Sequence, residues 1–307
     1  MDVSKYTADL DDQRSREVKY PPQTPKRVAH IDADFMAYQV SAESKDELQG
    51  LKPRRTVDQM EMNACNGLHH LMRTVGAVKY IAHITPPGSD KGGRYDQAVT
   101  KEYQGNRKGK EKPEFLDHIR GYIGEHLSSE VHMNQEADDG MAQKNYADPV
   151  NSVIVSKDKD LRMVPGLHWD FKEEHVADVE GFGNIWIDQS TKTKKLLGWG
   201  PAFFWAQLLM GDTADNIAGL PSAEIDGKTK RVGPMLAHDL LEGINNNKDA
   251  FARVKELWSG SKHEWTYWKD GTATTWGKAM TGDMKLLWMR RKPDENDVLD
   301  WLRENAI

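Results

Sequence analysis

The stretch "RVAHIDADFMAYQ", residues 27–39, reads as a short buried strand that ends at Asp32, with Asp34 just beyond and a helix following. The same order repeats downstream. In "TVDQMEMNACNGLHHLMRTVG" (56–76), Cys65, Leu68, Leu71, Met72 and Val75 recur at helical spacing and Gly76 supplies a stop. "VKYIAHI" (78–84) is the next strand, and "EFLDHIRGYIGEHL" (114–127) has an apolar helical face through Phe115, Ile119 and Tyr122. A short strand fits 130–133, and a helix starts around "EADDGMAQ" (136–143). "NSVIVSKDKDL" (151–161) is a further buried strand that exits into charge, and "GNIWID" (183–188) belongs to a later strand or hairpin. Strands alternating with helices predict an α/β fold, a sheet with helices on both faces.

The bulk composition is that of a folded protein. The chain has 307 residues, 38% hydrophobic and 29% charged, with ten tryptophans. No stretch approaches eighteen uninterrupted apolar residues, so no membrane span is expected. Cys65 is the only cysteine, which excludes an intrachain disulfide and a cysteine-based zinc cluster and fits a cytoplasmic location. The net charge of −6 argues against a generally basic nucleic-acid coat.

Four expected segments follow. Residues 1–25 form a polar lead-in, and 26–200 an α/β core that includes an irregular, charged stretch from residue 86. Residues 201–260 read as helical, through "PAFFWAQLLMGDTADN", "VGPMLAHDLLEG" and "DAFARVKELWSG". Residues 261–307 form a tryptophan-rich extension whose simplest role is an aromatic satellite core.

Carboxylates gather at the expected strand ends. "NQEADDGM" (134–141) places Glu136, Asp138 and Asp139 within four positions. Read alone, an acidic first turn of a helix accounts for it, because free amides there stabilise anions. Asp158 and Asp160 in "SKDKD" fit a polar strand edge equally well, and so do Asp32 and Asp34. In combination they suggest another reading. Parallel strands bring such positions together at their carboxyl ends, and oxygen-rich, cysteine-free clusters suit Mg²⁺ or Mn²⁺. A bound cation removes the repulsion that packed carboxylates otherwise suffer. In "LLMGDTADNIAGLP" (208–221), Asp212 and Asp215 are three apart, so one helix turn would place both on one side. The following "KTKRVGPMLAHDLLEG" (228–243) reads as a basic loop, with Lys230 and Arg231, entering a second helix. Gly219 and Gly233 allow close approach of backbone to a DNA phosphate. An ordinary helix–loop–helix packing unit explains the same residues.

"HIDAD", "SDKGG", "EYQGNR", "EADD", "SKDKDL" and "GDTADNIAGLP", in this order across residues 26–245, resemble the 5′ nuclease family, which includes the flap endonucleases. More narrowly, they resemble the 5′→3′ exonucleases of tailed phages. The resemblance implies a central mixed, mostly parallel sheet, a helical arch over the site at 86–126, and a helix–three-turn–helix DNA-binding element. It implies two Mg²⁺ ions, replaceable by Mn²⁺. One is held by Asp32, Asp90, Glu136, Asp138 and Asp139, the other by Asp158, Asp160, Asp212 and Asp215, with Asp34 an additional acid behind them. The implied reaction is metal-dependent cleavage of phosphodiesters near the 5′ end of duplex DNA. The implied substrates are duplexes with a 5′ end, nick or flap, and RNA–DNA hybrids in an RNase H-like activity. The implied protein is a monomer acting in the host cytoplasm, in replication or recombination. Where the family arch reads "YKGNR", Gln104 replaces the lysine; glutamine donates a hydrogen bond but carries no charge. Arg107, Lys108 or Lys110 are the expected compensating bases. Assigning the nine acids to ions leaves the rest of the chain at +3. Two other readings stand beside this one: a branch-selective endonuclease, and a non-catalytic DNA-end binding protein.

Overall fold

The computed structural model describes residues 20–190 and 193–307, so most of the expected lead-in lies outside the described residues. The chain divides into two units. Unit 1 comprises the described residues up to Ser89, with Lys110–Lys157 and Leu167–Ala177; unit 2 comprises Asp90–Gly109, Asp158–Gly166 and Asp178–Ile307.

Unit 1 is built on the strands β1 (Val28–Asp32), β2 (Lys79–Ile84), β3 (Ser129–Val131), β4 (Ser152–Val155) and β5 (Gly166–Asp170). With a sixth strand, β6 (His175–Val179), the sheet order is β3-β2-β1-β4-β5-β6. The pairings of β3 with β2, β2 with β1, β1 with β4 and β4 with β5 are parallel. The chain winds outward one way from β1 and then returns to β4, so the switch point lies between β1 and β4. Alternation along β1 sorts its residues between the two faces. Ala29 and Ile31 join the core with Tyr80, Ala82, Ile84, Val153 and Val155. That face is covered by α1 (Ala33–Ser41), α2 (Val57–Thr74) and α3 (Leu116–His126), through Met36, Val40, Ala64, Leu68, Ile119 and Ile123. Each fully buried Val, Leu, Ile or Met side chain stabilises the fold by roughly 1.5–3 kcal/mol. His30 and Asp32 face the opposite side, where α4 (Ala137–Ala147) packs on β1, β2 and β4.

The helix expected over 56–76 is α2, closed by a capping box of Thr56 and Gln59 and ended by Gly76 at φ +64°. The arch expected over 86–126 is not one element. Its C-terminal part is α3, a core helix of unit 1, because Leu116, Ile119 and Ile123 carry an apolar stripe that needs a sheet to cover. Its residues 90–109 belong to unit 2 and hold only short helical turns at Lys91–Gly93, Arg94–Gln97 and Gly105–Arg107.

Unit 2 contains the hairpin β7 (Asn184–Asp188) and β8 (Lys195–Trp199), in agreement with the reading of "GNIWID", and the helices α5 (Pro201–Met210), α6 (Pro234–Leu241) and α7 (Asn247–Ser259). Between α5 and α6 the expected basic loop is instead an antiparallel hairpin, β9 (Ser222–Ile225) with β10 (Lys228–Arg231), turned at Asp226–Gly227 with both residues at positive φ. The tryptophan-rich extension lies within unit 2. Its helices α8 (Trp276–Leu287) and α9 (Asp297–Asn305) share one core with α5. Trp288 meets Trp301 at 4.5 Å and Phe204 at 5.2 Å between ring centroids. Aromatic area of this size is buried wherever the topology offers a partner, and α5 offers Phe203, Phe204 and Trp205. Among the described residues, no helix is long and apolar enough to cross a membrane.

Candidate metal centre

The acids of unit 1 lie on the α4 side of the sheet and at its switch point. Asp32, the last residue of β1, caps α1 by accepting the Phe35 amide at 3.0 Å. Its Oδ2 accepts the Ser156 hydroxyl at 2.9 Å, from the residue that follows β4. Glu136 is the N-cap of α4 and forms a capping box with Asp139. The helix-start reading of "EADD" is therefore correct as far as it goes. Glu136 is buried and Asp139 has no exposure, so this is no solvated acidic face. Asp138, on the same first turn, is half-buried. Asp34 is committed elsewhere: it pairs with Arg120 at 2.8 Å and accepts the Thr85 amide at 2.9 Å, tying α1 to α3 and to the end of β2.

Unit 2 gathers a second set. Ligand atoms of Asp160, Asp212 and Asp215 lie within 4.8 Å of one another. Asp212 and Asp215 are not on a helix turn, as their spacing suggests, but on a tight loop closed by the Asp212–Ile217 bridge. Gly211, at φ +72°, breaks α5 just before them. Gly219, at φ +65°, lies so close that a Cβ would meet Gly211 N at 2.2 Å. Its role is thus backbone-to-backbone packing. Its amide is used inside the protein, donated to Asp283 at 2.9 Å. The Lys159 ammonium bridges the pair, 2.6 Å from Asp160 Oδ1 and 2.6 Å from Asp212 Oδ2. Buried Gln207 donates to the same oxygen of Asp160. Burial pushes the Asp160 carboxyl well above the usual range, reinforced by neighbouring Asp158. For Asp212 burial acts in the same direction, but the Lys159 ammonium and the Ala214 amide outweigh it and hold the carboxyl low. Lys159 itself is raised: desolvation opposes its charge, and the two carboxylates overcome it.

The "EYQGNR" segment closes on the same loop. Gln104 Nε2 donates to Asp215 Oδ1 at 3.0 Å, and Arg107 forms an ion pair with that oxygen. Asn106 donates to the Thr213 carbonyl at 2.6 Å, and Asn216 donates back to Glu102 O at 2.8 Å. Gln104 also accepts a hydrogen bond from the Lys91 ammonium, so a cation from "SDKGG" stands beside the position that lacks its lysine.

Three comparisons bear on this arrangement. No family model matches the chain. A curated 5′-3′ exonuclease of Buchnera aphidicola subsp. Baizongia pistaciae (strain Bp) is 35% identical over 136 residues. The match covers 43% of this chain and 41% of that protein, so it spans about two fifths of the curated relative's length. The fold is similar to that of the T5 D15 protein co-crystallised with metal ions, with a TM-score of 0.51 and 13% identity over 86% of this chain and 89% of that one. The bacteriophage T5 D15 flap endonuclease in a complex with DNA and metal ions gives 0.49 and 14% over 86% of each chain. Over the matched 136 residues the chain is similar in sequence to a 5′-3′ exonuclease, and over most of its length it is similar in fold to the T5 D15 protein.

Against the 5′ nuclease pattern, the structure unites only part of the expected sets. Among the described residues, Asp32, Glu136, Asp138 and Asp139 form no group of three with ligand atoms within 4.8 Å. Asp90 is exposed, belongs to unit 2 and accepts its own Gly92 amide at 2.8 Å. Asp158 stands outside the three-acid group and accepts the Asp160 amide at 2.9 Å. Lys108 pairs with Glu102 at 2.7 Å, and Lys110 is exposed. Lys230 and Arg231 lie on exposed β10, and Gly233 has open space around its Cβ position. Sequence reasoning missed Lys91, Lys159 and Gln207. Only Gln207 left a signal, as the lone polar residue of the buried run "PAFFWAQLL".

Proposed function

We propose that the chain is a divalent-metal-dependent nuclease that hydrolyses phosphodiesters near the 5′ end of duplex DNA, releasing products in the 5′→3′ direction. The observation that carries this reading is the three-acid group Asp160, Asp212 and Asp215, with the Lys159 ammonium seated between two of its members. A lysine fixed there marks a place built for positive charge. An all-oxygen donor set with one carboxylate, that of Asp215, partly open to solvent suits Mg²⁺, with Mn²⁺ as a substitute. Asp158 completes that group in the proposal, and Asp32, Glu136, Asp138 and Asp139 of unit 1 are proposed ligands of a second ion. When bound, such ions supply the charge that activates water for in-line attack and stabilises the departing 3′ oxygen.

The chain's own residues do the rest. Asp212, kept ionised by its partners, remains a ligand at neutral pH. Gln207 and the backbone turn orient Asp160 and Asp212 before any ion arrives. Arg107 and Lys91 neutralise the scissile phosphate, with Gln104 connecting Lys91 to Asp215. Exposed Lys108, Lys110, Lys230 and Arg231 would contact backbone phosphates, which makes binding sensitive to salt and largely insensitive to base sequence. Action on nicks, flaps and RNA–DNA hybrids, a monomeric state, and work in the bacterial cytoplasm on replicating or recombining phage DNA belong to the same proposal.

A panel of blunt, recessed, nicked and flapped duplexes, labelled at the 5′ or 3′ end, tests it. With Mg²⁺ the 5′ label is released in short products while the 3′ label persists. Cleavage confined to branch points would favour a branch-selective endonuclease. Binding with no cleavage in either Mg²⁺ or Mn²⁺ would leave a DNA-end binding protein.

A further inference from the structure

The face of unit 1 under α4 also carries histidines that no step above uses. His30 of β1 and His83 of β2 share a hydrogen bond between Nδ1 and Nε2 at 3.0 Å. His83 Nδ1 then meets His132 Nε2 at 2.9 Å, with the two rings parallel within 3°. In the parallel pairing of β2 with β3, His83 is the register partner of Glu130, which sets both side chains on the same face. One ligand atom from each of His83, Glu130 and His132 lies within 4.8 Å of the others.

We propose that His83, Glu130 and His132 form a binding site for a first-row transition-metal ion, zinc above all, separate from the acidic groups. Two imidazole nitrogens and one carboxylate oxygen are a zinc donor set with a fourth position left for water. Imidazole selects such an ion over magnesium. The absence of cysteine pairs does not bear on this set.

Each ligand has an outer partner. His83 turns its far nitrogen to His30, His132 turns its far nitrogen to Gln135 Nε2 at 3.2 Å, and Glu130 pairs with Lys144 at 2.7 Å. Such partners fix ring orientation and tautomer in metal sites. Burial depresses the basicity of His83 and His132, so both rings are neutral near pH 7 and able to ligate. Space has been kept for the His132 ring: a Cβ on Gly140 of α4 would lie 2.3 Å from it.

Loading needs a proton shift and no net loss of protons. The proton now shared between His83 Nδ1 and His132 Nε2 leaves that contact. His83 keeps its Nε2 proton, donated to His30 Nδ1. His132 carries its own proton on Nδ1, donated to the Gln135 amide oxygen after that amide rotates; its partner Gln143 can rotate with it. Both facing nitrogens then present lone pairs to the ion.

The test uses the full chain stripped with chelator, and Co²⁺ as a coloured stand-in for zinc. One equivalent of Co²⁺ is expected to give the visible absorption of a low-coordinate site, and equimolar Zn²⁺ should abolish it. The signal should survive Asp160→Asn with Asp212→Asn. Glu130→Gln, a shape-conserving change at a partly exposed position, should weaken Co²⁺ binding by at least ~10-fold. His132→Ala should remove the signal in a chain whose circular dichroism shows it folded. Absence of the signal in the unaltered chain overturns the proposal, as does an affinity unchanged by Glu130→Gln. So does a signal lost with the two aspartates, which would assign the ion to the acidic group. None of these readings depends on nuclease activity.

Discussion

Replacing Lys159 by methionine keeps an unbranched side chain and removes the charge between Asp160 and Asp212. The ammonium makes two contacts of 2.6 Å, to carboxylates whose side chains are 10% and 2% exposed. Removing one partner of a buried ion pair costs ~3–5 kcal/mol, because the other charge is left uncompensated. Lys159 is itself 36% exposed, so water screens part of the interaction and the lower end applies, ~3 kcal/mol. In metal-free buffer the variant should therefore melt ~6–12 °C below the parent chain. Saturating Mg²⁺ should shrink that deficit, since the ion takes the place of the ammonium and no longer has to displace it. A recovery of ~2 kcal/mol corresponds to Mg²⁺ binding the variant ~30-fold more tightly than the parent. Urea unfolding of both chains, in chelator and across a Mg²⁺ titration, measures all of these quantities. Equal stability of the two chains without metal, or a deficit untouched by Mg²⁺, would refute the view that lysine and ion compete for one place.

Three further expectations follow from named contacts. Asp212→Ala and Asp158→Ala should each lower single-turnover cleavage by two orders of magnitude or more (~3 kcal/mol of barrier) while DNA binding measured by anisotropy persists; near-normal turnover by both removes the ion proposed for the group of Asp158, Asp160, Asp212 and Asp215. Lys91→Ala should slow single-turnover cleavage at saturating DNA by ~10-fold or more, and Gln104→Lys in that background should restore it, if the neighbouring lysine supplies the missing charge. Buried Asp283 is pushed up to about 7 by desolvation, which the Gly219 amide and the Thr100 hydroxyl only partly offset. The folded state therefore holds its proton where the unfolded chain has lost it, and the stability contributed by Asp283 falls as pH rises from about 4 to about 7. Asp283→Asn should remove that slope, and the stability difference between variant and parent should grow by a few kcal/mol between pH 4 and pH 8. His30, lowered to about 4 mainly by burial, acts in the opposite direction in both chains and cancels in the comparison.

The sequence by itself determined the alternation of strand and helix in unit 1. It set the strands at 28–32, 79–84 and 152–155, the cap and stop of the 57–74 helix, and the position of each acid relative to a strand or helix end. Those features rest on periods of two and 3.6 residues and on caps a few positions away, so a local reading reaches them. Gly219 was legible as a close backbone approach, although its neighbour is Gly211 and its amide is held by Asp283.

Tertiary structure decided the rest. Lys159 reaches Asp212 across 53 positions, Gln104 reaches Asp215 across 111, and Gly219 reaches Asp283 across 64. Nothing periodic links such residues. Their meeting depends on which strands pair, in which register, and on where the tight loop after Met210 turns. The register of β2 on β3 alone sets His83 beside Glu130. Shifted by one residue, it would send one of the two side chains to the other face, because successive side chains alternate across a sheet.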